Sequence, residues 1–412
     1  MDILARVSPE WLATVAPEAG GCLPVAPEEM EKLLAAAATQ SELTRIPGGS
    51  AANVVKGVAQ IAGGGAACRF VGMVGADATG AEYRAKLAAT GVAPVLLESG
   101  SGAPSACAVC FVTPDGQRTM RTCLGASLEL RSCAQLPAGW SQGCGLLHAE
   151  GYCLYRPQLA REMMSLARAA GALTSIDLAS FELVRNCKES LLGLLQDGLI
   201  DLIFANEEEA VTLCSELGLL PPPAAASTSD GAASAPSTAA EGNTDAAVEA
   251  AQRYLLSPTG GRCKLAVTSL GARGCVARAA DGGHGAAAAC RVPVVDTIGA
   301  GDFFTAGFLA AYLRGGSLTQ CAAAGCASGA EAVQAKGAEL PAEAFERLRA
   351  AIDGILTAQP AAGGAVAAAG AAAAVAAAMG AATAAKAVGT AAAGGTPVAA
   401  ATAKPEPVPA MV

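Results

Sequence analysis

The chain of 412 residues is poor in aromatic side chains and in positive charge. Phe, Trp and Tyr make up 4% of it although 52% of the residues are hydrophobic, so alanine supplies much of the apolar count. Acidic residues outnumber basic ones by 36 to 27, which leaves a net charge of −9. Since nucleic-acid binding needs a basic surface, no direct nucleic-acid partner is expected. The length allows one large or two ordinary domains.

Histidine is scarce, and the cysteines form no metal-binding pattern. His148 and His284 are the only histidines, which excludes a multi-His metal cage, and His148 is interpreted as a packed core residue. The 15 cysteines are scattered, and the pair Cys107-x-x-Cys110 has no second pair at zinc-finger spacing. No basic segment followed by an apolar run opens the chain, so a secretory signal is not expected. These features indicate buried thiols in a reducing compartment.

Two stretches of low complexity stand apart from the rest. The Ala/Gly/Pro-rich end, 358–412, includes an uncharged run at 361–385 that is long enough to span a bilayer. That run has no Leu, Ile, Phe or Trp, so we predict a disordered tail and no membrane segment. A Pro/Ala/Ser/Thr-rich stretch at about 219–245 is predicted to be a surface insertion between helices at 206–217 and 245–256.

Elsewhere, strand-like and helical patterns alternate along the chain. Apolar runs predict strands at 68–74, 145–149, 173–177, 202–205, 264–269 and 274–277. Between them, helices are predicted at 51–62, 81–90, 158–170 and 303–313. This alternation predicts an α/β fold with a parallel sheet and helices on both faces. The runs 106–113 and 117–123 flank a Pro-Asp-Gly turn and predict a β-hairpin that could serve as a lid.

The strongest motif is Asp-Thr-Ile-Gly-Ala-Gly-Asp at 296–302, which follows a strand-like stretch at 291–295 and opens an apolar helix. Backbone amides at a helix N-terminus bind anions, and glycine lets a phosphate approach closely. Asp302 could then take a proton from a hydroxyl that attacks a phosphorus bound there. An acidic residue that only favours a helix start is the alternative. The two aspartates that frame the stretch favour the catalytic interpretation.

A second glycine-rich turn, Gly48-Gly49, runs through Ser50 to Asn53 at the start of a predicted helix. Paired glycines let a ligand lie close to the backbone, and the Asn53 amide offers both a donor and an acceptor. An ordinary turn with Ser50 as the helix N-cap remains the alternative.

Together the two motifs resemble the signatures of the PfkB (ribokinase-like) family of carbohydrate and nucleoside kinases. The stretches 177–186 and 204–210 are similar to the plant and algal PfkB-like branch close to adenosine kinases. The resemblance covers about 1–350 without the insertion. It implies a ribokinase-like three-layer α/β/α sandwich with a mainly parallel sheet and a small β lid. We therefore expect one kinase domain at 1–357, with the lid at about 94–124.

The resemblance implies an ATP-dependent kinase that uses Mg²⁺ and phosphorylates a primary hydroxyl of a sugar or nucleoside. Asp302 would be the catalytic base. The anion hole would be formed by the amides of Gly299, Ala300 and Gly301. Asn206 and Glu209 match the family's N-x-x-E motif, in which Glu209 would support Mg²⁺ through water. Nucleotide contacts would also come from Ser269 and Gly271, and substrate contacts from Asp2, Gly48, Gly49 and Asn53.

One departure from the family leaves a second function open. Family members begin with a strand that ends in the substrate-binding aspartate, and Met1 stands almost where that strand should end. We therefore expect Asp2 to be poorly positioned. This feature and the tail favour a catalytically weak or inactive PfkB-like scaffold or regulatory protein, whereas the complete motif at 296–302 disfavours it.

Two common nucleotide-binding motifs are absent from the sequence. No Walker A sequence occurs, which fits a kinase that binds ATP in another way. No G-x-G-x-x-G follows an early strand, which argues against a dinucleotide-dependent oxidoreductase. The expected partner is a small-molecule substrate, and no association with a membrane is expected. The expected oligomeric state is a monomer or a homodimer. The expected compartment is the cytoplasm or the plastid stroma.

Overall fold

The computed structural model describes residues 1–16, 22–114, 118–220, 238–358 and 408–411. Its strands are β1 (Asp2–Arg6), β2 (Cys22–Pro24), β3 (Thr44–Ile46), β4 (Ala66–Gly75), β5 (Val92–Ser99), β6 (Cys107–Val112), β7 (Arg118–Cys123), β8 (Cys144–Glu150), β9 (Leu173–Asp177), β10 (Leu202–Asn206), β11 (Leu265–Ser269), β12 (Cys275–Ala279), β13 (His284–Ala287) and β14 (Val408–Met411). Its helices are α1 (Pro9–Val15), α2 (Pro27–Ala38), α3 (Ser50–Ala62), α4 (Ala78–Ala89), α5 (Pro157–Ala169), α6 (Phe181–Asn186), α7 (Lys188–Gln196), α8 (Glu207–Glu216), α9 (Thr238–Leu256), α10 (Ala300–Leu313), α11 (Leu318–Ala332) and α12 (Ala342–Thr357).

A nine-stranded sheet forms the centre of the molecule, in the order β13-β12-β11-β10-β9-β8-β14-β4-β5. Its strands run parallel except at β12 and β13, which pair antiparallel. The predicted α/β fold with a mainly parallel sheet is therefore confirmed. The stretch 291–295 is not a strand, contrary to expectation. Its Val294 and Val295 are 65% and 54% exposed, and the Val295 amide donates to the Val333 carbonyl oxygen outside any sheet.

Helices cover both faces of the sheet, which gives the three-layer sandwich. One core lies between the sheet and α3, α4, α10, α11 and α12, with Phe303 and Phe308 at its centre. The other lies between the sheet and α5 to α9, and includes Ile176, Leu194 and Leu213. The largest core side chains on α10 are phenylalanines. Phe303, Phe304 and Phe308 thus follow the glycine-rich turn that opens this helix.

The lid is larger than the predicted hairpin and has different limits. It is a five-stranded sheet in the order β2-β7-β6-β1-β3, and α1 and α2 cover one face, where Leu12 and Met30 pack in one cluster with Phe111 of β6. The predicted limit at residue 94 is wrong because β5 pairs in parallel with β4 in the central sheet. β1 belongs to the lid since it pairs with both β3 and β6.

The two low-complexity stretches are only partly described. The insertion is described up to Leu220 and again from Thr238, where α9 begins inside the range predicted as a loop. Of the predicted disordered tail, 359–407 and 412 lie outside the described residues, the run 361–385 among them. Val408–Met411 depart from the prediction because they pair as β14 with the facing edges of β4 and β8. Among the helices that the structure describes, none has the length and apolarity to cross a membrane.

Candidate active site

Polar side chains gather at the carboxyl ends of the parallel strands. Glu150 ends β8, Asp177 ends β9, Asn206 ends β10 and Ser269 ends β11. These strands are neighbours in the sheet, so their ends meet at one edge. Ligands of open α/β sheets bind at this edge.

The two glycine-rich motifs come together because α3 and α10 pack closely. A Cβ on Gly57 of α3 would lie 2.6 Å from the Cβ of Ala306 on α10, so only glycine allows this approach. One turn earlier on α3, the Asn53 side-chain amide donates to Asp302 Oδ2 at 2.8 Å. Residues separated by 249 positions in the chain therefore share a hydrogen bond.

The turn before α10 has the geometry of an anion site. Gly299 is the helix N-cap at φ 75°, and a Cβ there would lie 2.7 Å from the Cβ of Ala338. The Ala300 amide donates to the Thr297 carbonyl oxygen at 3.2 Å. The amides of Gly299 and Gly301 have no partner among the hydrogen bonds of the described residues. Of the three predicted anion-hole amides, these two are therefore the ones without a hydrogen-bond partner in the part of the chain that the structure describes.

Asp302 lies in the first turn of α10, beside those amides. Burial raises the pKa of its carboxyl to about 6, against the hydrogen bond from Asn53, which lowers it. The negative charge of Asp177 raises this pKa further, and the positive charge of Lys56 lowers it. A carboxylate with a pKa just below neutral is well suited to accept a proton at physiological pH.

Two cavities meet at this point. The smaller, about 120 Å³, is lined by Asp302, Gly301 and the polar strand ends at Glu150, Asp177, Asn206, Glu209 and Ser269. The larger, about 410 Å³, is lined by Asp2, Gly48 and Gly49 at one end and by apolar side chains elsewhere. Ser50 and Glu150 line both cavities. Asp302 therefore lines the smaller cavity, which meets the larger one, with its predicted substrate residues, at Ser50 and Glu150.

Asp2 is firmly placed, contrary to the expectation from its position in the chain. β1 is paired on both sides, and the Gly49 amide donates to the Asp2 carboxylate. A Cβ on Gly48 would lie 1.8 Å from Asp2 Oδ2, so glycine is required there. Burial raises the pKa of Asp2, while the chain's amino terminus and Lys56 lower it. The expected misplacement is wrong because the lid sheet fixes the strand that carries this residue.

Comparisons with known proteins agree with this arrangement. The profile of the pfkB family carbohydrate kinases matches residues 27–344. The chain belongs to this family. A probable sugar kinase protein from Rhizobium etli CFN 42 is 26% identical, with a TM-score of 0.67 over 85% of this chain and 95% of that one. The adenosine kinase from Sinorhizobium meliloti is 27% identical, with a TM-score of 0.65 over 85% and 96%.

A more distant structure shows the fold alone. The adenosine kinase from Schistosoma mansoni is 20% identical, with a TM-score of 0.66 over 82% of this chain and 94% of that one. Membership of the pfkB family and these neighbours identify the chain as a kinase of the sugar and nucleoside class.

The N-x-x-E residues of this pfkB chain form a capping box at the start of α8. The Asn206 backbone amide donates to Glu209 Oε2 at 2.8 Å, and its side-chain amide donates to Oε1 at 2.7 Å. Glu209 is 2% exposed, and burial together with Asp177 raises its pKa to about 8. Ser269 lines the smaller cavity, whereas Gly271 begins a short 3₁₀ turn at φ 56° and is not part of that wall.

Sequence reasoning missed several residues of the site. Arg118 of the lid donates to Asp296, the first aspartate of the motif, and its Nη1 is buried with no partner among the described residues. Lys56 is buried beneath the Gly48–Gly49 turn. Glu150 directly follows the strand predicted at 145–149 and was given no role, although its place at a carboxyl strand end could have indicated a site residue. For Arg118 the sequence holds no such signal.

His148 occupies the interior, as interpreted from the sequence. Its ring bonds to Ser175 Oγ at 3.0 Å and Glu150 Oε1 at 3.3 Å, and burial lowers its pKa to about 3. The ring is therefore neutral. Burial raises the pKa of Glu150 well above its usual range, with the charges of Asp177 and Asp302 adding to the effect. Glu150 lies at the junction of the two cavities, which it helps to line.

Proposed function

We propose that this chain transfers the γ-phosphate of ATP to a primary hydroxyl of a nucleoside, with Asp302 as the general base. The observation that carries the proposal is the hydrogen bond between Asn53 and Asp302. It joins the turn at 48–53 (the substrate turn) to the turn at 296–302 (the anion turn). Asp302 and Gly301 line the smaller cavity, and the Gly301 amide has no partner among the described residues. This cavity shares Ser50 and Glu150 with the larger cavity, which we assign to the acceptor.

The chemistry follows from the placement of these groups. Asp302 accepts the proton of the acceptor hydroxyl, so the oxygen becomes a better nucleophile as it approaches phosphorus. The amides of Gly299 and Gly301 stabilise the charge that develops on the transferred group, aided by the N-terminal end of α10. Arg118 of the lid pairs with Asp296 at the start of this turn, and we assign it to the phosphates as well.

The donor set around the smaller cavity fits Mg²⁺, which supplies charge neutralisation for the phosphates when bound. Carboxylate oxygens are the ligands this ion prefers, and it commonly keeps several waters. Both Glu209 oxygens already accept bonds from Asn206. Among the described residues, no three His, Cys, Asp or Glu side chains converge to hold a metal. These facts support an indirect role for Glu209, through water.

A nucleoside suits the larger cavity better than a simple sugar does. Its polar end, at Asp2, Gly48 and Gly49, offers partners for sugar hydroxyls, and the rest is mostly apolar. Leu124 and Tyr152 line it and are 45% and 53% exposed. An aromatic side chain open to a cavity is able to stack on a flat base. A free pentose would leave this apolar part without contacts.

The test is ADP production with ATP and Mg²⁺ against adenosine, guanosine, cytidine, ribose and fructose, with the phosphorylated product identified by mass spectrometry. We expect the highest kcat/KM with a nucleoside and phosphate on its primary hydroxyl. A best acceptor among the free sugars would overturn the nucleoside assignment but keep the kinase. Nucleotide binding without turnover on any acceptor would favour the scaffold alternative.

A further inference from the structure

A buried lysine lies beneath the substrate turn and has no role in the mechanism above. Lys56 is on α3, one turn after Asn53, and its side chain is 5% exposed. Its ammonium donates to the Pro47 carbonyl oxygen at 2.5 Å. A buried ammonium is costly to hold unless nearby charges compensate it, so its place beside the site needs a reason.

The Lys56 contact is one of three that fix consecutive residues of the substrate turn. Lys56 binds the carbonyl of Pro47, and the Tyr83 hydroxyl donates to the carbonyl of Gly48 at 3.2 Å. The Gly49 amide donates to the Asp2 carboxylate. The orientation of this turn is therefore set from three directions, and Lys56 supplies the only charged donor among the three.

The charges that face Lys56 come from three separate elements. Asp2 is on β1, Asp302 is on α10, and Glu339 lies in the segment between α11 and α12. Burial lowers the pKa of Lys56, whereas these three carboxylates raise it. In return, Lys56 lowers the pKa of both Asp2 and Asp302. One cation thus acts on the predicted substrate ligand and on the predicted base.

We propose that Lys56 is a positioning residue whose hydrogen bond fixes the Pro47–Gly49 turn and whose buried charge balances the carboxylates of Asp2 and Asp302. It contacts neither acceptor nor nucleotide in this role. Its hydrogen bond orients the turn, and its charge acts through the two carboxylates. This inference rests on the proposed kinase function, so its tests include one that does not need turnover.

The first test compares the pH dependence of kcat in Lys56→Gln, Lys56→Arg and the wild type. Glutamine retains a donor for the Pro47 carbonyl but carries no charge. We expect the acidic limb of the pH–kcat profile to move about one pH unit higher in Lys56→Gln, so activity falls about fivefold near pH 6 and about tenfold at lower pH. Arginine should restore the limb. An unmoved limb in Lys56→Gln, with a uniform loss of rate, would show that Lys56 acts by packing alone and overturn the proposal.

Lys86→Met is the matched control, since Lys86 also donates to a backbone carbonyl, that of Arg45, and lies outside the site on α4. Its pH profile should equal that of the wild type. A limb that moves as much in Lys86→Met as in Lys56→Gln would contradict the specific role of Lys56.

The second test measures thermal unfolding of Lys56→Gln and the wild type between about pH 5 and pH 7. Asp302 has a raised pKa in the folded protein, so its contribution to stability declines as pH rises from its unfolded value through about 6. Without Lys56 that decline continues to higher pH, and the Tm difference between the proteins should widen across this range. A Tm difference that is constant with pH would overturn the charge role even if no acceptor is ever found. A widening difference in a protein without turnover would support it and place the failure in the proposed function.

Discussion

Asp302 combines a first-turn position on α10 with a pKa of about 6, and this value gives the reaction a defined pH dependence. The base must be deprotonated to act, so kcat should fall tenfold for each pH unit below about 6 and level off above it. Steady-state rates between about pH 4.5 and pH 8 would check this. An acidic limb of the pH–kcat profile with its midpoint near 3.8, the ordinary carboxyl pKa, would contradict the desolvation of Asp302 by burial.

Tyr152 is the side chain to which we assign stacking on the base of a nucleoside acceptor. It lines the larger cavity, whereas Tyr155, on the same short 3₁₀ turn and 58% exposed, does not. We expect Tyr152→Ala to raise KM for a nucleoside about tenfold because base stacking contributes about 1–3 kcal/mol. Tyr155→Ala is the control and should leave KM unchanged. Equal effects of the two substitutions on nucleoside KM would contradict the stacking assignment.

At the scale of elements, the close crossing of α3 and α10 places Asn53 against Asp302. Gly57→Ala would bring a Cβ to 2.6 Å from Ala306, so the helices must separate. Gly354→Ala, in α12 with open space around it, is the matched control. The control should stabilise the protein by about 0.5–1 kcal/mol because alanine favours a helix.

In contrast, we expect Gly57→Ala to destabilise the protein by about 1–3 kcal/mol, as an overpacked core does. It should also lower kcat, because Asn53 moves away from Asp302. Urea unfolding and initial rates measure the two effects. If Gly57→Ala stabilised the protein as much as Gly354→Ala does, α3 and α10 would not need glycine in order to pack, which would contradict this prediction.

Some strands could be predicted from the sequence and others could not. The central strands follow from apolar runs such as 173–177 and 202–205, because buried parallel strands have continuous hydrophobic sequences. The lid strands β2 and β3 are three residues each and carry no such run. Their pairing depends on distant partners in β7 and β1, which a local pattern does not show.

The site was predictable to the extent that its residues lie in local motifs. The turn at 296–302 and the turn at 48–53 each have a local signature, and the structure joins them through Asn53 and Asp302. Lys56 and Arg118 have no such signature. Their relation to the site arises only from packing of α3 beneath the substrate turn and from the lid's reach to Asp296.

At the scale of the whole molecule, Arg118 connects the lid sheet to the central domain, because it pairs with Asp296 at the start of the turn at 296–302. Asp296 accepts from Arg118, from the Ile298 amide at 2.9 Å and from the Gly337 amide at 2.6 Å. We expect Arg118→Ala to raise KM for ATP about tenfold, the scale of one charge-assisted hydrogen bond. KM for the acceptor should change little.

Arg131→Ala, an exposed position before β8, is the control for Arg118→Ala and should affect neither KM. A loss of acceptor affinity with unchanged ATP affinity would contradict the assignment of Arg118 to the phosphates.

The central claim is that Asp302 is the base of a phosphoryl transfer, and Asp302→Asn tests it most directly. The measurement is kcat with the best acceptor, together with acceptor and nucleotide affinities by calorimetry. Asp353→Asn, an exposed carboxylate paired with Arg314, serves as the control. We expect Asp302→Asn to lower kcat by about 10²–10⁴-fold and to leave the affinities for acceptor and nucleotide within about threefold of the wild type. Full activity of Asp302→Asn would contradict it.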